Sequence, residues 1–178
     1  MKVTYSDLKN KRVFISGGGS GIGATIVEHF CEQKSEVYFI DIDLKSSNKL
    51  IKKIKKKGYR VPKFIECNIL DVKKLQNIIK DIISKKGAIH CLINSAANDD
   101  RHTTEQVDEK YWENRMGINL KHYFFAAQAV VKGMKKIKSG SIVNLSSVSW
   151  MLGEGDKVVY ETAKSAVVGL TRSFAQEF

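Results

Sequence analysis

Proline is almost missing: the 178 residues hold one, Pro62. So little proline excludes a proline-rich linker, and a lone proline fits the start of a strand. Cysteine is scarce as well. Cys31, Cys67 and Cys91 are odd in number, widely spaced and set in apolar segments. That argues against a disulfide framework and predicts buried, reduced thiols in a cytoplasmic protein. No apolar run reaches the ~18 residues of a membrane span, and the opening MKVTYSDLKNKR lacks the apolar core of a signal peptide. The expectation is no membrane association. His29, His90, His102 and His122 show no metal-ligand spacing, so no metal is expected.

Acidic residues are also short, 19 against 30 Lys and Arg, for a net charge of +11. Much of the excess lies in residues 49–57 (KLIKKIKKK) and at Lys73, Lys74, Lys80, Lys85 and Lys86. Leu50, Ile51 and Ile54, then Leu75, Ile78, Ile79 and Ile82, recur between these lysines at helical spacing. The lysines therefore read as the solvated faces of amphipathic helices. A nucleic-acid surface would interleave aromatics and arginines, so no nucleic-acid partner is expected.

What is present is a regular alternation of strand and helix. Short apolar runs at residues 12–16, 36–40, 61–67, 89–94 and 141–145 read as strands. Helical patterns follow residue 23 and occupy 45–57, 72–85 and 111–136. Residues 68–71 read as a turn, and 95–110 as a polar, irregular stretch. No repeat, linker or low-complexity segment interrupts them. The predicted fold is α/β, one domain over 1–178 with a doubly wound parallel sheet of Rossmann type and helices on both faces.

Three sets of residues carry chemistry. The first strand runs into Gly17-Gly18-Gly19-Ser20-Gly21-Ile22-Gly23 and then a helix. Strand, glycine turn and helix form the context of a nucleotide-binding loop, whose helix N-terminus presents free amides to a pyrophosphate. Asp41 ends the second strand, where a carboxylate accepts hydrogen bonds from an adenosine ribose and repels a 2′-phosphate. No arginine follows it, which favours NAD over NADP. Finally, Ser147 is followed by Tyr160, and Lys164 lies four residues beyond the tyrosine. On a helix residues four apart share a face. A phenol ionises near pH 10, and a neighbouring cation favours its ionised form, making it a usable base for an alcohol proton.

Together, Gly17-x3-Gly21-x-Gly23, Asp41, Asn94-Ser95-Ala96-Ala97, Asn119, Ser147, Tyr160 and Lys164 resemble the short-chain dehydrogenase/reductase family along essentially the whole chain. NSAANDDRH, YWENRMGINLKHYFFAAQAVV and SSVSW look like bacterial aldose 1-dehydrogenases of the D-xylose and L-arabinose type. The resemblance implies a catalytic set of Ser147, Tyr160, Lys164 and Asn119, the last holding a proton-relaying water. It implies an NAD site formed by Gly17, Ser20, Gly21, Ile22, Gly23, Asp41, Asn68, Ile69, Asn94, Ala96, Tyr160 and Lys164. Asn98, Arg101, Ser147, Ser149, Trp150 and Tyr160 are candidate aldose contacts. Two positions depart from the family pattern: Asn68 replaces an aspartate near the adenine, and Ala97 a glycine. The expected reaction converts the anomeric hydroxyl of an aldose to a lactone, in a homo-oligomer, dimer or tetramer. Alternatives are another secondary alcohol or ketone as substrate, or an inactive nucleotide-binding module. Family members run to roughly 250 residues as one domain, so the resemblance predicts a C-terminally truncated chain with five of seven strands and little activity.

Overall fold

Five short strands pair side by side, all parallel, in the order β3-β2-β1-β4-β5. The computed structural model describes residues 3–178. The strands are β1 (Arg12–Ser16), β2 (Glu36–Asp41), β3 (Lys63–Glu66), β4 (Cys91–Asn94) and β5 (Ser141–Asn144). On one face lie α1 (Gly21–Glu32) and α2 (Leu44–Lys56), sealed by Val13, Ile15, Val37, Phe39 and Ile93 from the sheet. The other face carries α3 (Val72–Lys86), α5 (His122–Ile137) and α7 (Val158–Glu177) over Phe14, Tyr38, Ile40 and Leu92. Successive residues of β1 alternate between the two layers, so Val13 to Ser16 are all fully buried. An apolar run covered on both faces is what a central parallel strand requires.

Helix ends follow local chemistry. Asp43, Asp71 and Asp108 cap α2, α3 and α4 (Glu109–Met116), accepting from the amides of Ser46, Lys74 and Tyr111. Such caps contribute about 1 kcal/mol each. Lys53, Lys55 and Lys56 fill the last turn of α2, and Lys85 and Lys86 that of α3. Cations there oppose the negative end of the helix dipole. Part of the basic excess is thus end-of-helix chemistry.

Three elements differ from the sequence reading. β3 pairs only over Lys63–Glu66, because Pro62 has no amide to give the ladder. β4 pairs only from Cys91, although Ile89 before it is fully buried. The pattern over 111–136 is one helical rod from α4 through α5, but Gly117–Lys121 winds wider, as a π-helical segment. A four-residue helix, α6 (Ser149–Leu152), follows β5. Among the described residues no helix is long and apolar enough to cross a membrane, and no cluster of His, Cys, Asp and Glu is suited to a metal.

Ser16, Asn94 and Asn144 stand level at the carboxyl ends of β1, β4 and β5. The chain leaves β1 through Gly17, whose φ is +70° and whose added Cβ would meet Ala96 Cα at 2.6 Å. Two connections thus touch backbone to backbone. Gly23, in the first turn of α1, leans on the Gly17 carbonyl in the same way.

Gly23→Ala is therefore expected to destabilise the protein. Alanine gains about 1 kcal/mol in helix propensity, but its methyl meets a backbone oxygen with no room to retreat, and overpacking of this kind costs about 1–3 kcal/mol. Urea unfolding should show a lower midpoint at unchanged slope; an unchanged midpoint would refute the contact.

Candidate active site

Strand order reverses between β1 and β4, the point at which open parallel sheets bind ligands. A cleft of about 640 Å³ opens there. Its wall takes Gly17, Ser20, Gly21, Ile22 and Gly23 from the glycine turn, Asp41 from β2, and Asn68 and Ile69 from the turn after β3. Ala96 and Asn98 follow β4, and Tyr160 and Lys164 come from α7. These residues are spread over most of the chain, and the fold brings them to one opening.

The glycine-loop end suits a dinucleotide. The first intrahelical bond of α1 runs from the Ala24 amide to the Ser20 carbonyl, so the amides before it face the cleft without helical partners. Nothing stands within 4 Å of where a Gly21 side chain would project. Asp41 Oδ2 accepts from the Gly19 amide at 2.8 Å, and Oδ1 from the Asp43 amide at 2.9 Å. The carboxylate is held rigidly and keeps a lone pair on each oxygen for a diol. Asn68, in place of an acid, spends Oδ1 on the Leu70 amide at 3.0 Å, a local turn that shapes the rim.

At the opposite end, Lys164 is only 1% exposed. Its Nζ donates to Tyr123 Oη at 2.8 Å and to the Leu145 carbonyl at 2.7 Å. It lies 5.6 Å from the centroid of the Tyr160 ring, so the four-residue spacing does place both groups together. Burial pulls its pKa down from 10.5 to about 8, since a desolvated ammonium is disfavoured. Ser146 Oγ donates to the Lys164 carbonyl at 2.7 Å, tying α7 to the end of β5. Below lies His122, fully buried, its Nε2 at 3.4 Å from Ser16 Oγ. Burial and then the charge of Lys164 push its imidazole down to about 3, partly offset by the carbonyls of Ile118 and Gly117. His122 is neutral at ordinary pH.

Several expected residues stand beside the cleft rather than in its wall. Asn94 is fully buried, donating Nδ2 to Asn144 Oδ1 at 2.8 Å. Asn119 is buried in the π-helical segment and clamps the loop after β4: Oδ1 accepts the Asn98 amide at 2.8 Å and Nδ2 donates to the Asn98 carbonyl at 2.9 Å. Ser147 Oγ lies 2.8 Å from the buried Ser149 Oγ and accepts the Ser149 amide. Ser147, Ser149 and Trp150 are not brought to the cleft surface. Arg101 is ion-paired with Asp156, away from the wall. Sequence reasoning missed Tyr123, His122 and Ser146. A signal existed for the first: Tyr123 follows Asn119 by one helical repeat, in an otherwise apolar pattern.

A glycine-floored cleft at the switch point of a parallel sheet, with a tyrosine and a buried lysine in its wall, defines a dinucleotide-dependent oxidoreductase fold. Residues 11–178 match the family model for short chain dehydrogenase, and the chain belongs to that family, which implies a nicotinamide cofactor. It is 41% identical over 174 residues to the D-xylose 1-dehydrogenase of Caulobacter vibrioides, covering 97% of this chain and 68% of that one. It is 39% identical over 171 residues to a probable galactose dehydrogenase of Rhizobium meliloti, covering 96% and 67%. Among solved structures, the aldohexose dehydrogenase of Thermoplasma acidophilum superposes with a TM-score of 0.85 at 29% identity, over 98% of this chain and 64% of that one. The chain spans about two thirds of the length of these relatives.

The buried ammonium yields a stability test. With Lys164 removed, Tyr123 Oη still donates to the Leu145 carbonyl at 3.1 Å, so no polar group is stranded. The drop from 10.5 to about 8 corresponds to a penalty of about 3 kcal/mol below pH 8, relieved as pH rises from 8 to 10.5, where the unfolded chain binds more protons. Lys164→Met should raise the urea midpoint at pH 7 and abolish the gain between pH 8 and 10. A less stable variant would show that the pairing outweighs the desolvation.

Proposed function

We propose that the protein is an NAD-dependent oxidoreductase that converts the anomeric hydroxyl of an aldose to a lactone. The observation that carries the proposal is that Tyr160 and Lys164 share one cleft with the glycine turn and Asp41. Both halves of a hydride-transfer site, cofactor cradle and base, thus meet in one space. The substrate class is supported by the similarity to a D-xylose 1-dehydrogenase and a probable galactose dehydrogenase. Preference for NAD is supported by Asp41, whose charge repels a 2′-phosphate, and by the lack of arginine among the residues lining the cleft.

The nicotinamide, when bound, supplies the hydride acceptor. Tyr160 takes the proton of the reacting hydroxyl. Lys164, its ammonium fixed by Tyr123 and Leu145, supplies the positive field that favours the phenolate, an effect strengthened by the dry surroundings. Ser147 is assigned a hydrogen bond to the reacting oxygen, reached by exchanging its Ser149 partner. Asn119 holds the loop at Asn98 in place, and its π-helical turn is assigned the water that returns the proton to solvent.

Assayed in the chain extended by a relative's C-terminal segment, Tyr160→Phe is expected to lower kcat by about 10²–10⁴-fold, the contribution of a positioned general base, while NAD affinity changes little. Activity within tenfold of the parent would require another base. With D-xylose, L-arabinose and D-galactose, kcat/KM should be higher with NAD than with NADP, and Asp41→Ala should narrow the ratio. Preference for NADP would overturn the assignment of Asp41, and turnover confined to other alcohols or to ketones would overturn the aldose.

A further inference from the structure

Tyr160 sits in the first turn of α7, a turn with no cap of its own. The first closed bond of that helix runs from the Glu161 amide to the Lys157 carbonyl, and Lys157 at the N-cap makes no capping bond through its side chain. The amides ahead of Glu161 must find partners elsewhere. Val159, next to Tyr160, finds one across 57 residues of chain: its amide donates to His102 Nε2 at 3.3 Å in a buried contact. His102 lies in the irregular segment after β4 and is 7% exposed.

The ring is held so that it can accept. An amide is a fixed donor, so Nε2 carries the lone pair and the proton sits on Nδ1. Nδ1 faces the Asp100 carbonyl at 3.1 Å and Tyr111 Oη at 2.9 Å, and the Tyr111 ring packs edge-on against the imidazole at 5.0 Å. Arg115 lies over the Tyr111 ring and pairs with Asp100. From the other side the His102 amide donates to the Asp156 carbonyl at 2.8 Å, and Arg101 pairs with the Asp156 carboxylate. Every polar group around the ring is therefore committed to one tautomer and one orientation.

We propose that His102 is a positioning residue: accepting through Nε2 from a distant loop, it caps α7 and fixes the turn that aims Tyr160 into the cleft. The role rests on the reading of Tyr160 as the base. Because the same loop carries Asn98 in the cleft wall, the cap locks the loop and the base into one unit.

The test separates the cap from the chemistry. In His102→Gln the amide oxygen can stand near Nε2 and still accept from Val159; in His102→Leu nothing can. Hydrogen exchange followed by mass spectrometry should show residues 157–163 opening about fivefold faster in His102→Leu, the loss expected of one helix cap. His102→Gln should stay near the parent, and residues 12–41 should be unchanged in both. If His102→Leu loosens the whole fold, Tyr111→Phe takes its place; with one of the two Nδ1 partners removed, residues 157–163 should open about twofold faster. Equal exchange in parent, Leu and Phe variants, or equal loss in Gln and Leu, overturns the inference. In the oxidoreductase assay His102→Leu should lose kcat about tenfold or more, as small misplacements of a base do. The KM for NAD should move little and the Gln variant should recover kcat. A parent extended by a relative's C-terminal segment that still shows no alcohol-dependent NAD reduction would refute the proposed function and leave the exchange result standing.

Discussion

A positive charge buried in the wall of the cleft is the constraint around which the site is built. The Lys164 ammonium has given up water, and the protein returns two oxygens, a tyrosine hydroxyl and a main-chain carbonyl. Neither carries charge, so the cation remains uncompensated and its field stays available to the neighbouring phenol. The surroundings comply. His122, close enough for Lys164 to depress its basicity, stays neutral and adds no second cation. The Lys164 main chain is anchored by Ser146, and the carbonyl that receives Nζ belongs to the residue leaving β5. Strand end, α5 and α7 are joined through one side chain, so the chemistry and the packing of this layer cannot vary independently.

Much of this was legible in the sequence, for local reasons. The glycine turn reads directly because strand, turn and helix are adjacent in the chain. Asp41 reads because strand ends are marked by a change from apolar to polar. Tyr160 and Lys164 read because one helical repeat separates them. What was not legible depends on distance along the chain or on irregular winding. The partners of Lys164 sit 41 and 19 residues away, and the helical repeat that links Asn119 to Tyr123 does not show that Lys164 stands opposite. The wide winding at Gly117–Lys121 turns Asn119 onto the Asn98 backbone, whereas a regular period would have buried it as an ordinary core amide. Ser147 follows the strand as its place in the sequence suggests, but its engagement by Ser149 could not be read from the spacing.

The basic surplus belongs to a different layer of the molecule. Lys53 and Lys57 converge on Glu28, joining α2 to α1. Other lysines close the C-terminal turns of α2 and α3. Their work is at helix ends and between neighbouring helices on the outside of the sheet, while the cleft wall has a single lysine, Lys164. Surface charge and site charge therefore answer to separate demands, one of solvation and the other of desolvation.

The backbone contact between Gly17 and Ala96 has a consequence for how such a cleft can change over generations. With the connections after β1 and β4 touching, the floor cannot widen or narrow without parting the two central strands. Variation is left to the rim, where Ile42, Asp43 and Asn68 meet solvent. Side chains there can be exchanged one at a time over a floor that stays fixed.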